Sequence, residues 1–279
     1  MIENCHLAGA DLAYTDSGGP GEPVLLIHAG VFADWFVPMA TAPALDGHRV
    51  IRLIRAGYTG TPAPAGLTVA DHAGHAAELL RRLDTGPAHV VGHSSGSVIA
   101  LQLALDHPDL VRTLCLSEAP LIDGLTDPAD HEALHAALGP AIGAAMGATA
   151  RGDRPAAFDA FMAAVCGPDY RRVMTDALGA DAVEEAVRRS GYFFTDELPA
   201  MHPWTFDPTR LTAPVLLVQG GASSPAVHRM TAYLAALIPD ATTTTIYGVN
   251  HLLPLTAPAE LARVVAIFTR RATTLAASK

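Results

Sequence analysis

The sequence predicts an α/β protein in which helices cover both faces of a mostly parallel β-sheet, a doubly wound architecture. Short apolar segments alternate with helical ones up to residue 120 and again after residue 206, whereas residues 121–206 contain helical segments without a convincing strand. A Gly-x-Ser-x-Gly motif also lies directly between an apolar segment and a helical one. We therefore expect a sheet domain, residues 1–120 and 207–279, interrupted by a helical lid over residues 121–206.

Seven strands are predicted from short apolar or β-branched runs that end at turn residues. The first is followed by the turn sequence Asp-Ser-Gly-Gly-Pro-Gly at residues 16–21. The second is a continuous apolar run, which is typical of a strand buried on both faces. The predicted strands cover residues 7–15, 24–28, 49–54, 88–91, 111–116, 214–219 and 242–247.

Segments of helical spacing join these strands. Residues 69–83 place Ala73 and Leu79 on one side and charged side chains on the other. A loop and a helix, interrupted by Pro38, are expected over residues 31–45. Strands joined through helices predict parallel pairing with right-handed crossovers. Further helices are expected at residues 98–105, 226–237 and 259–271.

The composition limits the partners of this chain. Half of the 279 residues are hydrophobic, the net charge is −10, and Lys279 is the only lysine. Because no basic stripe is present to neutralise phosphates, we expect no nucleic-acid partner. No apolar run reaches the roughly 18–20 residues of a membrane span, and no secretory signal is visible, so we expect a cytoplasmic protein without a membrane partner. The sequence leaves the oligomeric state open, a homodimer included.

Cysteine and histidine spacing argues against a disulfide framework and against a metal site. The three cysteines are scattered and form no Cys-x-x-Cys, which fits a reducing compartment. His72 and His75, and likewise His131 and His135, have spacings that place both rings on one helix face, but no His-Glu-x-x-His accompanies them. We therefore expect neither a metal nor another cofactor.

The Gly-x-Ser-x-Gly motif, residues 92–96, predicts a nucleophilic serine. Such a motif between a strand and a helix forms a tight turn that holds the serine hydroxyl clear of the backbone. Small residues must flank that serine, and Gly92 and Gly96 supply them. The amides that begin the following helix lie where an oxyanion would form. Ser94 is therefore the candidate nucleophile.

A serine needs a base within hydrogen-bond reach to attack a carbonyl at neutral pH. Ligands of parallel sheets bind beyond the carboxyl ends of the strands, so the base should follow a late strand. His251 lies just past the last predicted strand and before the last helix. The other histidines lie in helices, in the insertion or ahead of the motif, so His251 is the preferred base.

The strand at residues 24–28 with Ala29-Gly30, the serine motif and the late Asn250-His251 resemble the α/β-hydrolase superfamily over nearly the whole chain. The insertion lies in the family's usual lid position, after its sixth strand. The resemblance implies an oxyanion hole made by two amides. One belongs to the residue after the nucleophile, Ser95, and the other to Gly30, with Val31 as an alternative.

The triad acid departs from the family pattern. Most members carry an aspartate in the turn after the seventh strand, but residues 220–225 of this chain, Gly-Gly-Ala-Ser-Ser-Pro, contain no carboxylate. A subset that includes the zearalenone lactonases has its acid after the sixth strand instead, in a Glu-x-Pro sequence. Glu118-Ala119-Pro120 resembles that sequence, so Glu118 is the candidate acid. Asp123 is the reserve candidate.

Arg55 is a second departure, because the family often has an aspartate near the end of its fourth strand. An arginine there is able to meet an anionic substrate group or Glu118. A surface position is the preferred expectation.

Aromatic residues near the end of the insertion and after the oxyanion loop are candidates for an apolar binding surface. Aromatics make up only 6% of the chain, so their concentration in these two segments is notable. The candidate substrate-binding residues are Val31, Phe32, Trp35, Tyr192, Phe193, Met201 and Trp204.

These features lead to the expectation of a serine hydrolase for an ester or lactone of a largely apolar small molecule, acting through an acyl-enzyme without a cofactor. A carbon–carbon bond hydrolase is an alternative, because that chemistry uses the same triad. A non-hydrolytic binder or a cofactor-free biosynthetic catalyst is the second class, supported by the missing acid after the seventh strand.

Overall fold

A computed structural model of the protein describes residues 1–121 and 127–277. Eight strands form one sheet: β1 Glu3–Leu7, β2 Ala10–Asp16, β3 Pro23–Ile27, β4 Arg49–Ile54, β5 Ala88–His93, β6 Val111–Ser117, β7 Val215–Gly220 and β8 Thr242–Ile246. Their spatial order is β1-β2-β4-β3-β5-β6-β7-β8. Strands β3 to β8 are parallel, and β1 and β2 are antiparallel to their neighbours. The mostly parallel sheet predicted from the sequence is confirmed.

The N-terminal strand prediction was wrong in its extent. Residues 7–15 do not form one strand, because the chain reverses between β1 and β2 at Ala8 and Gly9. Both residues have positive φ angles, 47° and 81°. Two consecutive residues with positive φ form the hairpin turn that matches the twist of antiparallel strands. The unpredicted strand β1 therefore pairs back onto β2 at the edge of the sheet.

The helices predicted at residues 69–83, 98–105, 226–237 and 259–271 are confirmed within a few residues at their ends. They are α1 Val37–Ala40, α2 Val69–Arg82, α3 Ser95–Asp106, α4 Pro128–Ala150, α5 Arg154–Cys166, α6 Tyr170–Leu178, α7 Ala180–Arg189, α8 Leu198–Met201, α9 Pro225–Leu237, α10 Leu253–Thr256 and α11 Pro258–Ala277. The helix expected within residues 31–45 is reduced to α1 between two 3-10 turns, Asp34–Phe36 and Pro43–Leu45. Pro38 and Pro43 account for this difference, since each lies in the first turn of its own short helix, where the missing N–H costs least.

Side chains of one strand enter different cores on the two faces of the sheet. Leu25 and Ile27 of β3 pack in a cluster with residues of α2, α3 and α9. Val24 and Leu26, which alternate with them, pack in a cluster with residues of α1, α10 and α11. The period of two along a strand directs these pairs to opposite faces. Helices therefore cover both faces, as the prediction of a doubly wound sheet requires.

In the described part of the segment between β6 and β7, five helices, α4 to α8, lie in the region expected to form a lid. Residues of these helices and of the loop after β3 form one buried cluster. Phe158, Met162 and Phe194 are almost fully enclosed within it. Among the described residues, α4 alone has the length and apolar composition of a membrane span. One such helix is weak evidence for a membrane. In this structure α4 contributes to the wall of the cavity described next.

Candidate active site

The turn between β5 and α3 has the tight geometry predicted for residues 92–96. Ser94 adopts φ 49° and ψ −124°, a strained conformation that projects its side chain away from the turn. A Cβ atom on Gly92 would lie 2.5 Å from the Gly96 carbonyl oxygen, and one on Gly96 would lie 2.2 Å from the Ile27 carbonyl oxygen. Both positions therefore require glycine. The Ser94 amide donates to the Ser117 carbonyl, 2.8 Å away, and fixes the turn to β6.

Ser94, Glu118 and His251 line one cavity of about 70 Å³ beyond the carboxyl ends of the parallel strands. Three loops, after β5, β6 and β8, carry these residues, so the sheet topology brings them together. The remaining polar lining residues within the described chain are Ser95 and Ser224. The apolar lining residues are Pro120, Leu138, Ala141, Ile142, Phe161, Ala164, Val165, Phe193, Leu198, Met201, Val227 and Met230.

The His251 ring is hydrogen-bonded to Glu118. Its Nδ1 lies 2.6 Å from Glu118 Oε2, so this nitrogen donates and Nε2 is left to accept a proton. The other carboxylate oxygen accepts from the Gly220 amide at 2.7 Å and from the Ser223 hydroxyl at 2.5 Å. Three donors therefore hold both oxygens of this buried carboxylate. The turn after β7, which contains no acid, instead supplies two of the groups that position Glu118.

The surroundings of Glu118 favour its charged form. Burial by itself would raise the pKa of this carboxyl, but the hydrogen bond and charge of His251, together with Ser223 and the Gly220 amide, hold the pKa below its ordinary value. The backbone here is also strained, since Glu118 has φ 49°, in the left-handed region. Its amide donates to the Val218 carbonyl at 3.0 Å, which anchors this conformation to β7.

The His251 ring is packed between other rings. Its centroid lies 4.6 Å from that of His93 and 6.0 Å from that of Trp35. Burial and the neighbouring His251 lower the pKa of His93 to about 3, so His93 remains neutral. A neutral neighbour does not compete with His251 for a proton. Trp35 donates its indole N–H to the Gly30 carbonyl at 3.0 Å and thereby joins the ring stack to the loop after β3.

The candidate oxyanion residues, Gly30 and Ser95, lie on neighbouring strand ends. Ser95 is the first residue of α3, where backbone amides are free to bind an anion. The Gly30 carbonyl accepts from the Phe32 amide at 2.9 Å, which fixes the loop. A Cβ atom at Gly30 would lie 2.3 Å from the Phe193 ring that lines the cavity. The alternative residue, Val31, is buried with φ 72°.

The structure separates the predicted substrate-binding residues into two groups. Phe193 and Met201 line the cavity. Val31, Phe32 and Trp35 do not line it. They belong to the buried cluster shared with the helical insertion, and the Phe32 and Trp35 rings stack with centroids 4.4 Å apart.

Two further predicted residues also lie elsewhere. The Tyr192 hydroxyl is 2.9 Å from His72 Nε2, and the Tyr192 ring would meet a Cβ on Gly57. Trp204 donates its indole N–H to Gln102 on α3 at 2.7 Å. Their aromatic rings pack within the protein and do not line the cavity. The local sequence around a packed ring does not differ from that around a ring in a binding surface.

The expectation that Arg55 lies at the surface was wrong. Its side chain is about 1% exposed and lies 2.9 Å from a carboxylate oxygen of Glu197 in the lid. It meets neither solvent nor Glu118, because Glu197 forms its ion pair. The reserve acid, Asp123, lies outside the described residues.

Several residues that complete the site could not be recognised in the sequence. Ser223 donates to Glu118 from the turn after β7. The absence of an acid from that turn was the one sequence feature that drew attention to it. Phe161 and Val165 reach the cavity from α5, and Val227 and Met230 reach it from α9; none of them belongs to a recognisable motif. Within residues 1–121 and 127–277, no three His, Cys, Asp or Glu side chains are grouped as a metal ion requires.

A doubly wound sheet with a serine turn, a late histidine and a helical insertion defines the α/β-hydrolase class. Residues 22–258 match the family model described as the alpha/beta hydrolase fold, and the chain belongs to this family.

Solved structures share this fold, and a curated relative is similar over part of the chain. The enol-lactonase from Burkholderia xenovorans LB400 superposes with a TM-score of 0.79 at 18% identity, covering 96% of this chain and 100% of that one. A thermophilic esterase from Thermogutta terrifontis has a TM-score of 0.69 at 19% identity, covering 98% and 99%. The acetyltransferase component of an acetoin cleaving system from Cupriavidus necator is 36% identical over 111 residues, 39% of this chain and 29% of that protein. The chain thus spans less than a third of that relative.

Proposed function

We propose that this protein is a serine hydrolase that cleaves an ester or lactone of a largely apolar small molecule. Ser94 is the nucleophile, His251 the general base and Glu118 the acid that orients His251. The amides of Ser95 and Gly30 form the oxyanion hole. The observation that carries this proposal is the 2.6 Å hydrogen bond from His251 Nδ1 to a buried Glu118, beside a serine on a strained turn.

The reaction follows from the available protons and lone pairs. His251 Nε2 takes the Ser94 proton as the hydroxyl attacks the carbonyl carbon, and the carbonyl oxygen becomes an oxyanion facing the two amides. His251 then gives the proton to the leaving alkoxide, which leaves an acyl-enzyme. Water, deprotonated by the same nitrogen, releases the acid and regenerates Ser94. Glu118 stabilises the imidazolium at each stage without taking its proton.

The lining of the cavity favours an uncharged, apolar substrate. Twelve of its lining residues are apolar, and the ionisable ones among the described residues are Glu118 and His251, which already pair with each other. A charged substrate group would lose hydration there without gaining a counter-ion. Because the cavity measures about 70 Å³, the bound acyl group must be small or must displace lid side chains.

The similarity to known proteins supports the proposal through the fold alone. An enol-lactonase and an esterase share the architecture, at identities that carry no information on substrate. An acid after β6, as in the zearalenone lactonases, is part of our proposal, and the contacts of Glu118 with Gly220 and Ser223 support it.

Labelling with a fluorophosphonate probe, followed by peptide mapping, tests the nucleophile. We expect covalent label on the peptide containing Ser94, and hydrolysis of p-nitrophenyl esters that Ser94→Ala abolishes. Ser17→Ala, at the turn before β3, is the matched control and should label and hydrolyse as the wild type does. Failure of the wild type to label at Ser94 would contradict the proposal and favour a non-hydrolytic role.

A panel of esters, lactones and vinylogous diketones distinguishes the substrate classes. Turnover of neutral esters or lactones with no turnover of diketones is the expected result. Preferential cleavage of a diketone carbon–carbon bond would replace the ester or lactone assignment with a carbon–carbon hydrolase.

A further inference from the structure

A buried polar network lies beside the candidate oxyanion hole and includes a lid residue. Glu197, at the end of the π-helical turn Phe193–Glu197, accepts from the Ser95 hydroxyl at 2.6 Å and from Arg55 Nη2 at 2.9 Å. The Tyr58 hydroxyl donates to the second oxygen of Glu197. All four side chains are buried. The Ser95–Glu197 contact joins residues 102 positions apart, so the fold alone creates it.

Arg55 also holds the loop that carries the second oxyanion amide. Its Nη2 donates to the Ala29 carbonyl at 3.2 Å, and His28 Nδ1 donates to the same oxygen at 2.6 Å. The Ala29 carbonyl and the Gly30 N–H belong to one planar, trans peptide unit and point in opposite directions. Two donors on that oxygen therefore fix the direction of the Gly30 N–H.

Stability alone does not account for such a network. A buried ion pair commonly contributes no more than well-packed apolar side chains of similar volume, since both charges lose their hydration. Here the pair also contacts the two segments that hold the oxyanion amides. An unpaired carboxylate at Glu197 would repel a developing oxyanion, and Arg55 neutralises that charge.

We propose that Arg55 and Glu197 are positioning residues that set the two oxyanion amides, Arg55 through the Ala29–Gly30 peptide and Glu197 through the Ser95 side chain. This inference rests on the proposed serine hydrolase function. Because Glu197 belongs to the lid, the oxyanion hole reaches its active geometry only when this part of the lid is docked on the sheet domain.

Four variants separate positioning from stability. Glu197→Gln and Arg55→Met each leave a buried group unpaired, and both should lower the melting temperature. The double variant Arg55→Met/Glu197→Leu removes both charges and should recover most of that loss. Ser95→Ala keeps the backbone amide and the ion pair but removes the hydroxyl contact, so it should fold normally.

We expect kcat for a p-nitrophenyl ester, normalised to the fraction of protein labelled by fluorophosphonate, to fall about 10²-fold in both charge variants and in the double variant. Ser95→Ala should lose about tenfold. KM should change less than threefold. Affinity for an aryl trifluoromethyl ketone, whose adduct with Ser94 places an oxyanion in the hole, should fall in parallel with kcat. The pH profile should keep its shape, because His251 and Glu118 are unaltered.

Arg171→Met is the matched control, since Arg171 pairs with Asp159 within the lid and away from the cavity. It should change kcat less than twofold. Recovery of kcat together with the melting temperature in the double variant would overturn the inference and leave a structural role. A wild type that neither labels nor hydrolyses would refute the proposed function itself, which is a different outcome.

Discussion

Replacing Glu118 by glutamine is the sharpest test of the proposed triad, because the structure dictates how the amide must lie. Glu118 Oε1 accepts from the Gly220 amide and the Ser223 hydroxyl, so the glutamine carbonyl must occupy that position. The NH₂ group then faces His251 Nδ1, 2.6 Å from the replaced oxygen. An NH₂ group donates, so Nδ1 must become the acceptor and the ring proton moves to Nε2.

A proton on Nε2 removes the lone pair that Ser94 requires. The same change of tautomer in a serine protease triad costs about 10⁴ in kcat, so we expect a loss of about 10³–10⁴ with KM nearly unchanged. Initial rates on a p-nitrophenyl ester at saturating substrate measure it. Circular dichroism and thermal unfolding should show a folded variant, since the glutamine keeps the shape of the side chain.

Two companion variants sharpen this test. Ser223→Ala removes one donor but leaves the Gly220 amide on Glu118, so a loss of about tenfold or less is expected. Asp123→Asn should retain wild-type activity if Glu118 is the acid. Wild-type turnover by Glu118→Gln, or a loss of about 10³ confined to Asp123→Asn, would show that Glu118 is not the triad acid.

Three further predictions address folding, pH and the cavity. Gly96→Ala should destabilise the protein by about 3 kcal/mol or more in urea unfolding, because its Cβ would lie 2.2 Å from a backbone oxygen; Gly74→Ala, with open space around its Cβ, should be neutral or stabilising. Burial lowers the pKa of His72 to about 3, so the unfolded chain takes up its proton below about pH 6.5 and the folded chain does not. The free energy of unfolding should therefore fall by about 2 kcal/mol between pH 7 and pH 5 because of His72. Urea unfolding at the two pH values should show that His72→Phe abolishes this part of the fall. Ile142→Trp fills part of the cavity wall and should lower the ratio of p-nitrophenyl hexanoate to acetate hydrolysis at least about tenfold, whereas an unchanged ratio would place the acyl group elsewhere.

The sequence alone determined the parts of this protein that depend on local patterns. Alternating apolar and amphipathic segments identified the sheet and its main helices. Burial on one face leaves an apolar period in the chain, and burial on both faces leaves a continuous apolar run. The serine turn was recognisable because steric limits demand glycine at residues 92 and 96. The late histidine was identified as a candidate from its place after the last strand, and Glu118 from the resemblance of Glu118-Ala119-Pro120 to the Glu-x-Pro sequence of a family subset.

Which of these residues meet depends on the tertiary fold. The contacts of Glu118 with Ser223 and of Ser95 with Glu197 join positions more than 100 residues apart, and no local pattern records such pairings. Arg55 looked like a surface residue because its counter-ion belongs to a distant lid segment. Trp204 and Phe193 carry similar local signals, yet Phe193 faces the cavity and Trp204 packs on α3. Packing geometry separates them, and it is a property of the folded chain as a whole.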